Sequence, residues 1–165
     1  MMDKQQIGLV GKHLLIANLV GAGIEVAEPL RDRGVEVIAY NDKLKNGKFV
    51  ARPIQIKTAA GEWFGLSKRY EAFNDLRIVF IWHTDEPSKA LFFALSYAEA
   101  LNVLRSTRSG KKNYAKTSSW KDRENYVTTR PSSTLKKLLE KYQVDSPGKW
   151  AELLGMKEAI DQRVR

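Results

Sequence analysis

Apolar and polar positions alternate with two different periods along this chain, and the switches between them outline the elements. Over residues 7–20, Val10, Leu14, Leu15 and Ala17 recur at helical spacing, which predicts a helix with a wide apolar face. Gly21-Ala22-Gly23 ends it, because glycine takes the left-handed conformation of a helix terminus without steric cost. Strands are predicted at residues 24–28 and 35–40. The second connects across Asn46-Gly47 to a longer strand at residues 49–58, and the pair reads as a hairpin. Pro53 predicts an irregularity or an exposed edge in that longer strand. A brief strand is predicted at residues 63–66.

The run LRIVFIW at residues 76–82 is the most apolar in the chain and predicts a central strand buried on both faces. Residues 90–95 predict another strand. Ser96-Tyr97-Ala98-Glu99 has capping-box spacing, so a helix should start there and run to about residue 105. Further on, Leu135, Leu138, Leu139 and Tyr142 fall at helical spacing behind Ser132 and Ser133. Ser146-Pro147 opens a last helix, expected to continue to about residue 160. The order is helix, antiparallel strands, helix, loop, helices, which is a mixed α/β (α+β) domain with flanking helices. Its parts are an α/β core at 1–105, a basic loop at 106–131 and a helical carboxyl-terminal extension at 132–165, within one compact domain.

Composition narrows the function. The 165 residues are 43% hydrophobic and 28% charged, the balance of a folded protein. With no cysteine, a disulfide scaffold or thiolate metal site is excluded, and two histidines argue against a zinc enzyme. No apolar run approaches the roughly 20 residues that span a bilayer, and the first six residues lack the apolar stretch of a secretory signal. A soluble, intracellular, cytoplasmic protein without a membrane partner is expected. The net charge is +9, and it is not spread evenly. Between residues 104 and 137 there are ten basic residues against Asp122 and Glu124, which places +8 of the excess in one stretch. Tyr114, Trp120 and Tyr126 interleave with the cations there. A positive segment studded with aromatics and hydroxyl donors suits a phosphodiester backbone, since cations displace condensed counterions. The plainer alternative is a solvated loop that aids solubility.

Two motifs bear on chemistry. Val20-Gly21-Ala22-Gly23 is not a dinucleotide fingerprint, because a helix precedes it, a strand follows, and Val26 stands where the third glycine belongs. The segment Pro53-Ile54-Gln55-Ile56-Lys57-Thr58 is more informative. In a strand, Ile54 and Ile56 share one face, and Gln55 and Lys57 share the other. The hairpin can bring Glu36 beside that polar pair. A carboxylate, an amide oxygen and an ammonium together can hold Mg2+ and steady an attacking water. The alternative is an exposed hairpin face of mixed polar residues.

Four segments carry a family resemblance. Gly11-Lys12-His13-Leu14-Leu15-Ile16-Ala17-Asn18-Leu19-Val20, Gly23-Ile24-Glu25-Val26, Gly34-Val35-Glu36-Val37-Ile38 and Ile54-Gln55-Ile56-Lys57-Thr58 resemble, in this order, the PD-(D/E)xK nuclease superfamily. This restriction-endonuclease-like group is most similar here in the branch of Holliday junction resolvases and an intron homing endonuclease. The resemblance implies a mixed central sheet, a Mg2+ (or Mn2+) cofactor, and a dimer or higher assembly. It places Glu36 at the metal-binding aspartate position, Gln55 at the variable acid position and Lys57 at the catalytic lysine, with Glu36 and Gln55 as metal ligands. Glu36 stands where the family has aspartate, and Lys12 where a glutamate often follows the first helix's glycine. Asp32, Glu25 and Glu28 are the nearest other carboxylates in sequence.

The leading expectation is thus a DNA-binding, endonuclease-like hydrolase. Arg105, Arg108, Lys111, Lys112, Lys116, Lys121, Arg123 and Arg130, with Tyr114 and Trp120, are its expected nucleic-acid contacts. A catalytically inactive DNA- or RNA-binding module, or a protein-interaction module on the same fold, is the alternative. His13 and His83 read as ordinary surface and strand-end residues, and Trp63, Phe64 and Trp82 as packing.

Overall fold

The computed structural model describes residues 2–41, 49–106, 125–128 and 131–156. Helix α1 spans Lys4–Gly21 and begins ahead of the apolar periodicity. Asp3 sets its start by accepting from the N–H groups of Gln5 and Gln6, while Gln6 accepts from the Asp3 N–H. That is a complete capping box, and it satisfies donors the helix would otherwise leave unpaired. The buried stripe is Gly11, Leu15 and Leu19, so Ala17, expected on the apolar face, is exposed instead.

Five strands form the main sheet: β1 (Glu25–Ala27), β2 (Val37–Asn41), β3 (Val50–Thr58), β5 (Arg77–Trp82) and β6 (Leu91–Ser96), in the order β1-β2-β3-β5-β6. All neighbours are antiparallel except β3 and β5, which run parallel from Ile54↔Arg77 to Thr58↔Ile81. The sheet is therefore mixed, as the resemblance implies, with β3 and β5 as its parallel pair. A parallel pair needs a crossover, and the residues between β3 and β5 supply it through β4 (Phe64–Ser67) and the 3-10 turn Lys68–Ala72. Pro53 is tolerated because β3 has only β2 beside it there, the first β5 pair being Ile54↔Arg77.

Strand β7 (Asn125–Thr128) pairs antiparallel with β4, from Phe64↔Thr128 to Ser67↔Asn125. Part of the stretch expected as a loop is therefore strand, held by a partner some 60 residues upstream that no local pattern announces. Helix α2 (Tyr97–Ser106) starts as expected at Ser96: Glu99 N–H donates to Ser96 Oγ, and Ser96 N–H to Glu99 Oε2. Helix α3 (Ser133–Leu139) follows its Ser132 cap.

The last described helix, α4 (Pro147–Leu153), stops well short of residue 160. Gly155 sits at φ +67°, with Gly155 N–H donating to Glu152 O and Met156 N–H to Ala151 O. This paired return of bonds is a glycine-dependent helix stop. Arg77 Nε and Arg52 Nε then donate to the Leu153 and Leu154 carbonyls at 2.9 Å, tying the helix end to β5 and β3.

The sheet separates two apolar cores. Leu15, Leu19, Ile54, Ile56, Val79, Ile81 and Trp150 fill the side under α1 and α4. Ile78, Phe80, Trp82, Phe93, Leu95, Phe64, Leu104 and Leu139 fill the side under α2, α3 and β4. Both faces of β5 are buried, as its unbroken apolar run predicts. Among the described residues no helix is long and apolar enough to cross a membrane.

Candidate functional site

Strand β3 sends Ile54 and Ile56 into the α1 core and turns Gln55 and Lys57 to the opposite face. Their β5 partners on that face are Ile78 and Phe80. Glu36 stands just ahead of β2, and its N–H donates to Ile54 O at 2.9 Å. Val37 is also paired with Ile54, so two successive residues are set against one, the geometry of a β-bulge. The bulge re-aims the Glu36 side chain along β3. There Gln55 Nε2 donates to Glu36 Oε1, and the Ile56 backbone adds a hydrogen bond to the carboxylate. Gln55 is 3% exposed, a polar side chain embedded in an otherwise apolar strand.

The electrostatics at Glu36 pull in two directions. Burial raises its pKa above the ordinary carboxylate value, and the nearby Asp32 charge raises it further. Lys57, the Ile56 hydrogen bond and Lys12 pull the other way and are outweighed. Asp32 is fixed by its own turn, accepting from Gly34 N–H at 2.8 Å. Lys12 forms an ion pair with Glu28. Of the three carboxylates near the hairpin in sequence, Asp32 thus faces Glu36 electrostatically, and Glu28 faces Lys12.

Lys57 is half-buried, with Nζ 5.3 Å from the centre of the Tyr70 ring. Tyr70 lies in the 3-10 turn after β4 and is fully buried. Its hydroxyl accepts from Arg69 Nη2 at 2.7 Å, and the Arg69 guanidinium sits 4.8 Å from the ring centre. Sequence reasoning missed both residues. Nothing in their spacing marks them, since they reach Lys57 only through the crossover.

The sequence-expected chemical trio is thus brought to one place, with Gln55 bonded to Glu36 and Lys57 in electrostatic reach. The donor set can be tested against a divalent cation. Mg2+ takes hard oxygen ligands and often needs only one or two carboxylates beside phosphate and water. Glu36 supplies a carboxylate, and Gln55 Oε1 is a buried acceptor with no hydrogen-bond partner. Such an acceptor beside a carboxylate is the donor type a cation takes, and an amide flip would turn Oε1 toward Glu36 in place of Nε2. No group of three His, Cys, Asp or Glu placed to hold a metal occurs among the described residues.

Of the expected nucleic-acid contacts, Arg105 is exposed in the last turn of α2. Arg108, Lys111, Lys112, Tyr114, Lys116, Trp120, Lys121, Arg123 and Arg130 lie outside the described residues. The ends of their segment are described, however. The chain leaves α2 at Ser106 and returns as β7 beside β4, whose Phe64 stacks on Phe80 at 4.4 Å. Phe80 is the β5 partner of Lys57, so α2 and β4, where the described ends of that stretch lie, are on the face that carries Gln55 and Lys57. His13 is exposed, and His83, just past β5, has the unusual φ of +58°. Phe64 and Trp82 are buried, and Trp63 half-buried, as packing residues.

No protein-family model matches the chain, and no curated protein matches it. Among solved structures it is similar to that of a bacterial homing endonuclease, I-Ssp6803I, with 14% sequence identity, a TM-score of 0.46, and coverage of 99% of this chain and 98% of that chain.

Proposed function

We propose that the chain binds nucleic acid, DNA first, and hydrolyses phosphodiesters at Glu36, Gln55 and Lys57 with Mg2+ or Mn2+. The observation that carries this reading is the half-buried Glu36 carboxylate, held by Gln55 within electrostatic reach of Lys57. The resemblance of these segments to PD-(D/E)xK nucleases supports the same assignment. A cation there would be held by the Glu36 carboxylate and Gln55 Oε1. When bound it supplies Lewis-acid activation of phosphate and water. The chain's own residues supply the rest. Burial makes Glu36 a more basic carboxylate, and so a better donor to a cation than an exposed one. The Lys57 ammonium stabilises negative charge developing on the phosphoryl oxygens. The basic stretch between residues 104 and 137 supplies the positive charge that grips the backbone.

A second reading, binding without hydrolysis, is favoured because no group of three His, Cys, Asp or Glu placed to hold a metal occurs among the described residues. One assay separates them: plasmid, branched and single-stranded substrates with Mg2+, Mn2+ or chelator, for the wild type, Glu36→Gln and Lys57→Ala. Metal-dependent cleavage lost in both variants supports hydrolysis. Salt-sensitive binding with no cleavage supports the second reading. If nothing binds at about 50 mM salt, both are wrong.

A further inference from the structure

The site has a second cation that the hydrolytic trio does not use. Lys57 and Arg69 approach the same buried aromatic ring, at 5.3 Å and 4.8 Å from its centre. They are therefore held within about 10 Å of each other. One strand of B-DNA carries a phosphate about every 3.4 Å of helix rise, and because the strand also winds round the axis neighbouring phosphates lie farther apart than that, so a separation within about 10 Å suits two adjacent phosphates. Tyr70 has no freedom to let the pair drift. It is 1% exposed, packed among Phe64, Leu66 and Leu76, and its hydroxyl fixes the Arg69 fork. Arg69 itself is exposed, which suits a group that meets a ligand from solvent. A guanidinium held at both its face and its edge is pre-organised, so less entropy is lost when it meets phosphate.

We infer that Arg69 contacts the substrate phosphate adjacent to the one at Lys57, and that Tyr70 is the positioning residue that spaces the two cations, an inference resting on the phosphodiester reading above. Tyr70 touches no substrate; it acts through Arg69 and Lys57.

The test is equilibrium binding of a labelled DNA duplex by the full chain, in chelator to prevent cleavage, across a range of salt. Arg69→Ala should weaken binding about 5- to 10-fold whatever the sequence, and reduce the slope of log K against log salt by about 0.9. Arg69→Lys should restore the slope, since it keeps the charge. Tyr70→Phe keeps the ring and loses only the hydroxyl. It should weaken binding in the wild type and change nothing in the Arg69→Ala background. An unchanged salt slope in Arg69→Ala, or a Tyr70→Phe effect of equal size in both backgrounds, overturns the inference while leaving hydrolysis at Glu36 intact. Wild-type protein that binds no DNA at about 50 mM salt overturns the phosphodiester reading itself, and this inference with it.

Discussion

Helix α1 lies so close to the end of β3 that only glycine fits at its contact point, and this makes a sharp test of the packing beneath the site. A Cβ added at Gly11 would lie 2.1 Å from Thr58 Cγ2, 3.0 Å from Thr58 Cβ and 3.3 Å from Thr84 Cγ2. Ordinary contact begins near 3.4 Å, so the first clash must be relieved by about 1.3 Å. Turning the Thr58 side chain moves Cγ2 but leaves Cβ in place, and the helix must then shift. Overpacking of this kind costs about 1–3 kcal/mol, whereas Gly→Ala inside a helix gains about 1 kcal/mol of propensity. Gly8, one turn earlier, has nothing within 4 Å of the same added atom and isolates the propensity gain. Gly8→Ala should therefore raise stability by about 0.5–1 kcal/mol, and Gly11→Ala should fall below Gly8→Ala by about 1–3 kcal/mol. Thr58→Ser removes Cγ2, the worst clash, and should recover most of the Gly11→Ala loss in the double variant. Urea unfolding of the four proteins, with m unchanged, reads this out directly. Equal stabilities for Gly8→Ala and Gly11→Ala would refute the close approach and the placement of Lys12 that depends on it.

Three further outcomes are expected. Burial and Asp32 raise the Glu36 pKa, so the folded chain keeps that proton where the unfolded chain has released it, and stability from this group falls as pH rises through the raised value. Glu36→Gln cannot ionise, so its stability relative to wild type should grow from about pH 4 upward and then level off; a difference constant with pH rules this out. Ser96→Ala removes the Oγ half of the α2 capping box, leaving the backbone N–H to Glu99 Oε2 bond in place, and should cost about 1 kcal/mol by urea midpoint, with Ser96→Thr costing less. Gly155→Ala forces a side chain into the left-handed region and should cost about 1–2 kcal/mol; a neutral result would mean α4 does not end on that turn.

The hairpin was readable because a strand has period two. Once residues 49–58 are recognised as extended, Gln55 and Lys57 must share a face. Glu36 was placed beside them by hairpin pairing, though the bulge that sets two residues against Ile54 was not foreseen. Tyr70 and Arg69 had no such cue. They meet Lys57 because β5 lies beside β3 in parallel and the crossover between them folds over one face. The basic segment is a similar case: its charge is plain in the sequence, but its return beside β4 depends on a pairing with residues far upstream.

What the sequence determined alone is therefore local. The Ser96 cap, the alternation in β3 and the buried run of β5 follow from bonds and steric limits within a few residues. Tertiary structure decided how these pieces meet. It set β3 parallel to β5, pressed Gly11 onto Thr58, and left Gln55 Oε1 buried without a partner next to a carboxylate of raised pKa. The physical reason is range. Capping and periodicity act over one to four residues, whereas desolvation and the Coulomb field of Asp32, Lys12 and Lys57 act on Glu36 only once the chain has closed around it.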